Sequence, residues 1–383
     1  MARLEHYISV GKQRLRCGYT TGACAAAAAR AAAQRLLTGE APAAVRLETP
    51  AGIWITADIL ELTAGPGWAS CAVRKDAGDD YDVTDGALVY ARVERKEEPG
   101  IRIDGGPGVG RVTRPGLDQP VGAAAINRAP RQMIQTQLEL ALEAAGEQTG
   151  LTAIISIPEG ERLAGRTFNP RLGIEGGISV LGTSGIVRPM SEAALVDSLY
   201  LELDQLAALG RRDVLVTPGN YGDTFSREHL GLSLNSRASC SNYLGQCIDH
   251  AAGLGMHSLL LVGHLGKLAK AAGGAMNTHS QVADGRRETL AAHTALCGGD
   301  RALVETVFSA GTTDEAVEQM EKAGLRGAVM GSLTAALYEH LRRRAGEQMK
   351  IEAVVFSNRF GILGKTPGAD GLLALHREKE EEL

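Results

Sequence analysis

The second half of the 383-residue chain alternates short apolar stretches with helical segments, and this alternation constrains the fold more than any other feature. Residues 213–217, 258–262 and 351–357 are predominantly apolar along their length. Strands of this kind are typical of a parallel sheet that is covered by helices on both faces. Ligands of such sheets bind beside the carboxyl ends of the strands. The loops after residues 217 and 263 are therefore candidates for one binding rim.

A glycine-rich segment at residues 169–191 adds a third candidate loop, after residue 182. The pattern predicts a short strand at 178–181, a Gly-Thr-Ser-Gly turn at 182–185, and a helix opened by Pro189 and Ser191. This order places backbone N–H groups and hydroxyls around a point of positive potential. The segment fits either a site for a nucleotide-like or carboxylate-bearing ligand, or a tight strand-to-helix connection that binds nothing.

The first part of the chain predicts a different architecture. Alanines at 25–29 and 31–33 predict a helix that is capped by Thr20 or Thr21 and ends at Gly39. Strands are then predicted at 45–49, 53–60, 69–75 and 87–95. We therefore expect two domains: an N-terminal α+β domain at 1–168, a β-meander with an Ala-rich helix, and a C-terminal α/β three-layer, Rossmann-like domain at 169–383 with a mostly parallel sheet.

The composition excludes several classes of function. The net charge of -5 and the aromatic content of 4% give no support to nucleic-acid binding. No apolar run is long enough to cross a bilayer and no secretory signal begins the chain, so we expect a cytoplasmic protein without a membrane partner. The six cysteines form no C-x-x-C pair, which predicts reduced thiols and no metal site.

A Gly/Pro-rich stretch at 104–111 is followed by several arginines. The stretch does not fit the G-x-G-x-x-G pattern of dinucleotide-binding loops, because the last glycine is replaced by Arg111. Arginine binds carboxylates through a rigid pair of donors, so the cluster favours a ligand with several carboxylates. Arginines on a solvated surface would produce the same pattern. The cluster comprises Arg111, Arg114, Arg128 and Arg131.

Six segments, in one order along residues 15–280, give the chain a family resemblance. It resembles the CbiD-type cobalt-precorrin-5B C1-methyltransferases of anaerobic cobalamin biosynthesis. The segments are LRCGYTTG at 15–22, DVTDG at 82–86, NPRLGI through TSGIV at 169–187, TPGNYG at 217–222, GHLGK at 263–267 and NTHS at 277–280.

The resemblance implies a methyl transfer from S-adenosylmethionine to C1 of cobalt-precorrin-5B, which gives cobalt-precorrin-6A. Cobalt would enter only within the substrate, so the protein itself would need no metal ligands. Such a transfer needs two large ligands held face to face and water excluded, and a cleft between the domains would hold both. We expect residues 1–168 to contact the corrinoid and residues 169–383 to contact S-adenosylmethionine.

The expected site residues form three groups. The groups are His264 and Asp85 for catalysis; Gly182, Thr183, Ser184, Pro218, Gly219, Asn220 and Gly263 for S-adenosylmethionine; and Thr20, Thr21, Arg111 and Arg171 for the corrinoid carboxylates. For His264 the alternative to a catalytic role is a structural hydrogen bond in a loop.

Two other functions stay open from the sequence. One is a nicotinamide-dependent reductase of a corrinoid intermediate, and the other is a non-catalytic corrinoid carrier. The sequence also leaves open a homo-oligomer or a transient contact with other enzymes of the corrinoid pathway.

Overall fold

The computed structural model describes residues 4–10, 12–167, 169–170 and 172–377. The chain divides into two compact units, Met1–Glu192 and Ala193–Leu383. Arg171, which the sequence assigns to the corrinoid, lies outside the described residues. Among the described residues, no helix combines the length and the apolar character that a membrane span requires.

The first unit contains short strands and three helices among its described residues. In chain order they are β1 Tyr7–Val10, β2 Gln13–Arg16, β3 Gly18–Tyr19, α1 Thr21–Thr38, β4 Ala44–Glu48, β5 Trp54–Asp58, β6 Leu60–Gly65, β7 Trp68–Arg74, β8 Leu88–Lys96, β9 Ile101–Gly105, β10 Gly108–Val109, β11 Arg111–Val112, α2 Arg128–Ala145, β12 Gly150–Ser156, α3 Gly160–Ala164, β13 Ile174–Glu175, β14 Gly177–Ile178 and β15 Ile186–Val187.

The main sheet of this unit is mixed rather than a simple meander. Its strand order is β6-β7-β8-β12-β9, and β12 is antiparallel to β8 but parallel to β9. The predicted strand at 53–60 is divided into β5 and β6, because β5 pairs with β4 in a separate hairpin while β6 pairs with β7. Strand β9 lies at the edge of the sheet, leads into the Gly/Pro-rich stretch and has no counterpart among the predicted strands.

The Ala-rich helix α1 lies in the core of the first unit. The alanines at 25–29 and 31–33 are fully buried. Their small side chains let the helix backbone approach α2 on one side and strands β7 and β8 on another. The N-cap is Thr20 and the C-cap is Gly39 in the left-handed conformation, as the sequence predicts.

The glycine-rich segment at 169–191 differs from its predicted form. The turn at 182–185 leads into β15, which pairs antiparallel with β3, and not directly into a helix. Strands β13 and β14 pair with β11 and β10. Because these pairings tie the segment to the first unit, the division at Glu192 lies later in the chain than the predicted boundary at residue 168.

The second unit is an alternation of helices and strands. In chain order they are α4 Glu192–Ala208, which begins at the last residue of the first unit, then β16 Asp213–Thr217, α5 Asn220–Glu228, β17 Arg237–Ser239, α6 Leu244–Gly253, β18 Ser258–His264, α7 Leu265–Ala272, α8 Arg286–Leu296, α9 Arg301–Ser309, α10 Thr313–Lys322, α11 Arg326–Ala345, β19 Lys350–Ser357, β20 Gly361–Lys365 and α12 Ala369–His376.

One sheet with the order β17-β16-β18-β19-β20 organises this unit. The pairs β16–β17, β16–β18 and β18–β19 are parallel, and only the edge strand β20 is antiparallel to its neighbour. Val214 and Leu259 belong to the apolar core on one face, whereas Leu215 and Leu260 belong to the core on the other. The strands are apolar along their length because both faces are covered.

The buried alanines of α1 predict a specific sensitivity to larger side chains. Replacing Ala28 with Leu should lower the free energy of unfolding of the first unit by about 1–3 kcal/mol, because the fully buried site has no room for three more carbons. Urea unfolding followed by tryptophan fluorescence measures this, since both tryptophans, Trp54 and Trp68, lie in the first unit. Ala144→Leu on the exposed face of α2 is the matched control and should change stability little. Equal effects of the two substitutions would contradict this packing.

Candidate functional site

A cavity of about 520 Å³ lies at the carboxyl end of the sheet in the second unit. Four parts of the chain line it. They are the start of α5 with the loop before it (218, 219, 221 and 222), Asn242 before α6, the junction of β18 and α7 (264, 266, 267 and 270), and the segment 278–280 with Arg286 at the start of α8. Three segments on which the family resemblance rests, 217–222, 263–267 and 277–280, thus meet at one cavity.

The strand order explains why the cavity lies here. From β16 the chain passes through α5 to β17 on one side, and then crosses through α6 to β18 on the other side. Helices α5 and α7 follow the adjacent strands β16 and β18, so both helix N-termini reach this end of the sheet. Their first N–H groups have no partners within the helix and carry partial positive charge. The position therefore suits a ligand with a negatively charged group.

Two glycines let α5 begin close to the sheet. Gly219 has φ +145°, a conformation that L side chains rarely adopt. A Cβ on Gly222 would lie 2.9 Å from the carbonyl oxygen of Val262 and 2.9 Å from the Cβ of Thr217. Of the residues that the sequence assigns to S-adenosylmethionine, Asn220 at the start of α5 does not line the cavity. Gly263 does not line it either. Its missing side chain makes room for Leu268, so its evident role is to let α7 pack on β18.

A partly buried ionic network fixes the first turn of α5. Asp223 accepts hydrogen bonds from the Oγ1 of Thr217 at 2.5 Å and from the Nε and Nη2 of Arg237, both at 2.6 Å. Glu202 of α4 lies 3.6 Å from the Nη1 of Arg237 and accepts from the backbone N–H of Ser239 at 2.7 Å. The network therefore joins α4, β16, β17 and α5 beneath the cavity-forming loop.

His264 lines the cavity and caps α7. Its Nδ1 accepts a hydrogen bond from the backbone N–H of Gly266 at 3.1 Å, and its ring stands edge-on to Phe356 at 5.5 Å between centroids. Accepting at Nδ1 places the proton of the neutral ring on Nε2. Burial lowers the pKa of His264, which keeps the ring neutral at neutral pH. The structural hydrogen bond that the sequence left as an alternative is therefore present.

Two lysines of α7 supply positive charge to the cavity. The Nζ of Lys267 donates to the carbonyl oxygens of Pro218 at 2.8 Å and Ser241 at 3.0 Å. The buried Lys270 donates to the carbonyl oxygen of Thr278 at 3.0 Å and lies 3.7 Å from the carboxylate of Asp284. Neither lysine is among the predicted site residues, although the GHLGK segment contains the first of them.

The NTHS segment is held against the start of α6. The backbone N–H of Thr278 donates to the carbonyl oxygen of Asn242 at 2.8 Å, and the two side chains are also hydrogen-bonded, at 3.3 Å. The backbone N–H of His279 donates to the Oδ1 of Asn277 at 3.0 Å. Sequence reasoning did not assign Asn242, Thr278 or His279 to the site. The signal that could have found the last two was their place in one of the six segments.

Five of the predicted residues, Thr20, Thr21 and 182–184, lie in the first unit, around the start of α1. The Oγ1 of Thr20 accepts from the backbone N–H of Ala23 at 3.2 Å, and the Oγ1 of Thr21 accepts from that of Leu181 at 2.9 Å. A Cβ on Gly182 would lie 2.3 Å from the Oγ1 of Thr20. These residues close a tight junction between α1 and the glycine turn. In the same turn Thr183 is exposed. The hydroxyl of Ser184 donates a hydrogen bond to the carbonyl oxygen of Ile186 at 2.9 Å and accepts one from the backbone N–H of Ile186 at 3.2 Å.

Asp85 and Arg111 also have partners within the first unit. The Oδ1 of Asp85 accepts from the backbone N–H of Ala77 at 2.8 Å. Arg111 donates to Asp104 at 2.8 Å and to the carbonyl oxygen of Gly105 at 2.7 Å. The catalytic pair expected from the sequence is therefore divided, with Asp85 in the first unit and His264 in the second. Of the residues expected to contact S-adenosylmethionine, 182–184 lie in the first unit, and Pro218, Gly219, Asn220 and Gly263 lie in the second.

Within the part of the chain that the structure describes, no group of three or more His, Cys, Asp or Glu side chains is arranged to hold a metal ion.

The burial of His264 predicts a pH dependence of stability. Because folding lowers the pKa of His264, the unfolded chain takes up a proton more readily, and the second unit should lose stability as pH falls below the ordinary value of 6.5. One such group contributes at most about 1.4 kcal/mol per pH unit. His264→Asn keeps an N-cap acceptor without a titrating ring, so it should flatten this decline. Burial also lowers the pKa of His293 and His376, so part of the decline should remain.

Calorimetric unfolding between pH 5.5 and 7.5 tests this expectation. The matched control is His257→Asn at an exposed position, which should keep the pH dependence of the unsubstituted protein. An unaltered pH dependence in His264→Asn would show that the ring of His264 does not contribute to it.

Comparisons with known proteins identify the family. The sequence matches the family described as CbiD over residues 8–189, and the one described as CbiD, C-terminal domain, over residues 277–367. Relatives named cobalt-precorrin-5B C(1)-methyltransferase include a protein from Ruminiclostridium cellulolyticum, which is 46% identical over 93% of this chain and 92% of its own length. Another, from Thermoanaerobacter sp. (strain X514), is 44% identical over 94% of this chain and 98% of its own length.

A solved structure is also similar to this chain. It is the crystal structure of a cobalamin biosynthesis protein (cbiD) from Archaeoglobus fulgidus, which is 30% identical, covers 74% of this chain and 87% of that chain, and gives a TM-score of 0.39. The family matches in both units, with relatives above 40% identity over nearly the whole length, show that this chain belongs to the CbiD family.

Proposed function

We propose that this protein is a cobalt-precorrin-5B C(1)-methyltransferase of cobalamin biosynthesis that takes its methyl group from S-adenosylmethionine. The names of the relatives support the reaction and its corrinoid substrate. In the transfer, the electron pair of ring carbon C1 forms a bond to the methyl carbon. The bond from methyl carbon to sulfur breaks, its electron pair stays on sulfur, and S-adenosylhomocysteine is released.

We propose further that the second unit is a Rossmann-like domain and that its cavity holds the methyl donor. The observation that carries this proposal is the position of the cavity where the strand order reverses, between β16 and β18. In doubly wound sheets the loops diverge at this point and leave a crevice for the ligand. The order β17-β16-β18-β19-β20 is that of one common class of such sheets.

The chemistry of the cavity fits the donor. Pro218 and Gly219 form the loop before α5, and His264 lines the cavity with its ring proton on Nε2. Methyl transfer needs little acid–base assistance, so the main contribution of these residues is to position the donor and exclude water. Positioning of this kind is worth roughly 7–11 kcal/mol in favourable cases.

Several expectations from the sequence stay predictions. They are catalysis by His264 and Asp85, donor contacts by Gly182, Thr183, Ser184 and Gly263, and corrinoid contacts by Thr20, Thr21, Arg111 and Arg171. A cytoplasmic location, a homo-oligomer and contacts with other pathway enzymes also stay predictions.

The donor site predicts that the loop before α5 controls donor affinity. Gly219→Ala should weaken binding of S-adenosylhomocysteine by about 5- to 150-fold, because a side chain at φ +145° strains the loop by about 1–3 kcal/mol. Asn220→Ala, at the first residue of α5, should also weaken it. Isothermal titration calorimetry on the full chain measures both. Gly231→Ala is the matched control, since Gly231 also has a positive φ (+61°) and open space but does not line the cavity.

Unchanged affinity in Gly219→Ala and Asn220→Ala, with both variants folded, would remove the donor from this cavity. Turnover with a labelled methyl donor tests the reaction itself, and label should appear in the corrinoid. Corrinoid binding without methyl transfer would instead indicate a carrier. Reduction of the corrinoid by a nicotinamide cofactor would indicate a reductase.

A further inference from the structure

Lys267 joins three loops at the wall of the cavity. It lies in the first turn of α7, and its ammonium group donates to the carbonyl oxygens of Pro218, after β16, and Ser241, after β17. An ammonium group has three N–H donors. Two of them are used by these carbonyl groups, so a third is available to a ligand in the cavity that Lys267 lines.

The charge of Lys267 differs from that of its cationic neighbours because no carboxylate of the described residues forms an ion pair with it. Lys270 lies 3.7 Å from Asp284, and Arg286 is paired with the same carboxylate at 2.7 Å. Both acceptors of Lys267 are neutral carbonyl groups, and none of the ion pairs between described residues includes it. Burial lowers the pKa of Lys267, which reflects the cost of holding this charge without a counterion.

The surroundings of Lys267 suit a carboxylate. The N-termini of α5 and α7 add partial positive charge on the same side of the sheet. A carboxylate accepts charge-assisted hydrogen bonds from an ammonium group and from backbone N–H groups at once. S-adenosylmethionine carries three charged groups, and of these the carboxylate is attracted to this position while the ammonium and the sulfonium are repelled.

We propose that Lys267 anchors the carboxylate of the methyl donor and so decides which end of the donor lies beside α7. This inference rests on the proposed donor site. The two carbonyl groups hold the ammonium in place before the ligand arrives, which lowers the entropic cost of binding. The sulfonium then lies away from Lys267, with its methyl group directed to another part of the cavity. Lys267 thus acts as a binding and orienting residue and takes no part in bond making.

The experiment compares two ligands that differ only in the carboxylate. S-adenosylhomocysteine has it, and decarboxylated S-adenosylhomocysteine lacks it. In Lys267→Met we expect the affinity for S-adenosylhomocysteine to fall roughly 10- to 100-fold, as for loss of a hydrogen bond to a charged group. The affinity for the decarboxylated ligand should change less than about threefold. Lys322→Met, at an exposed lysine of α10, is the matched control and should change neither affinity.

Any other outcome would contradict a specific part of this proposal. If both ligands lose affinity equally, Lys267 acts by holding the loops together and the carboxylate role is wrong. If neither loses affinity, or if only corrinoid affinity falls, Lys267 does not bind the donor carboxylate. If the unsubstituted protein does not bind S-adenosylhomocysteine, the proposed donor site itself fails, which is a distinct result.

A measurement on the unsubstituted protein covers the case in which Lys267→Met does not fold. Acetylation of lysines by acetic anhydride, followed by peptide mass spectrometry, reports the accessibility of each amine. S-adenosylhomocysteine should slow the acetylation of Lys267 at least fivefold more than the decarboxylated ligand does. Equal rates with the two ligands would overturn the proposal.

Discussion

The parallel pairing of β16 with β18 is the interaction on which the candidate site depends. It brings together the ends of two strands that are separated in the chain by α5, β17 and α6. Because the chain leaves these strands toward opposite sides, the following loops separate and leave a cavity. The glycines at the start of α5, the N-cap at His264 and the ammonium of Lys267 all act on this edge of the sheet.

Several cavity-lining groups are used first to build the site. His264 caps α7 through Nδ1, and Lys267 ties α7 to the loops after β16 and β17. Beneath them, Asp223 and Arg237 hold α5 to the sheet through paired hydrogen bonds at 2.6 Å. Residues that are fixed in this way can present hydrogen-bond donors and charges to a ligand without further rearrangement. Preorganisation of this kind matters most for a reaction that depends on placing two ligands correctly.

Sequence reasoning succeeded where a pattern is local. The alanine run and its threonine cap predicted α1, and apolar stretches predicted β16, β18 and β19. It did less well where partners are distant in the chain. The glycine turn at 182–185 has the local pattern of a strand-to-helix connection, yet the next residues pair with β3, more than 160 positions earlier. No sequence pattern within the segment indicates a strand partner so distant in the chain.

The sequence by itself determined which segments carry the family resemblance, where the fully buried strands lie, and that the loops with residues 218, 219 and 264 lie at one edge of the sheet. Only the tertiary structure decided that the NTHS segment and both lysines of α7 line the same cavity, and that Gly182, Thr183 and Ser184 pack in the first unit. The physical reason is that helix and strand periodicity depends on neighbours a few positions apart, whereas a cavity wall depends on sheet order and on loops brought together across the fold.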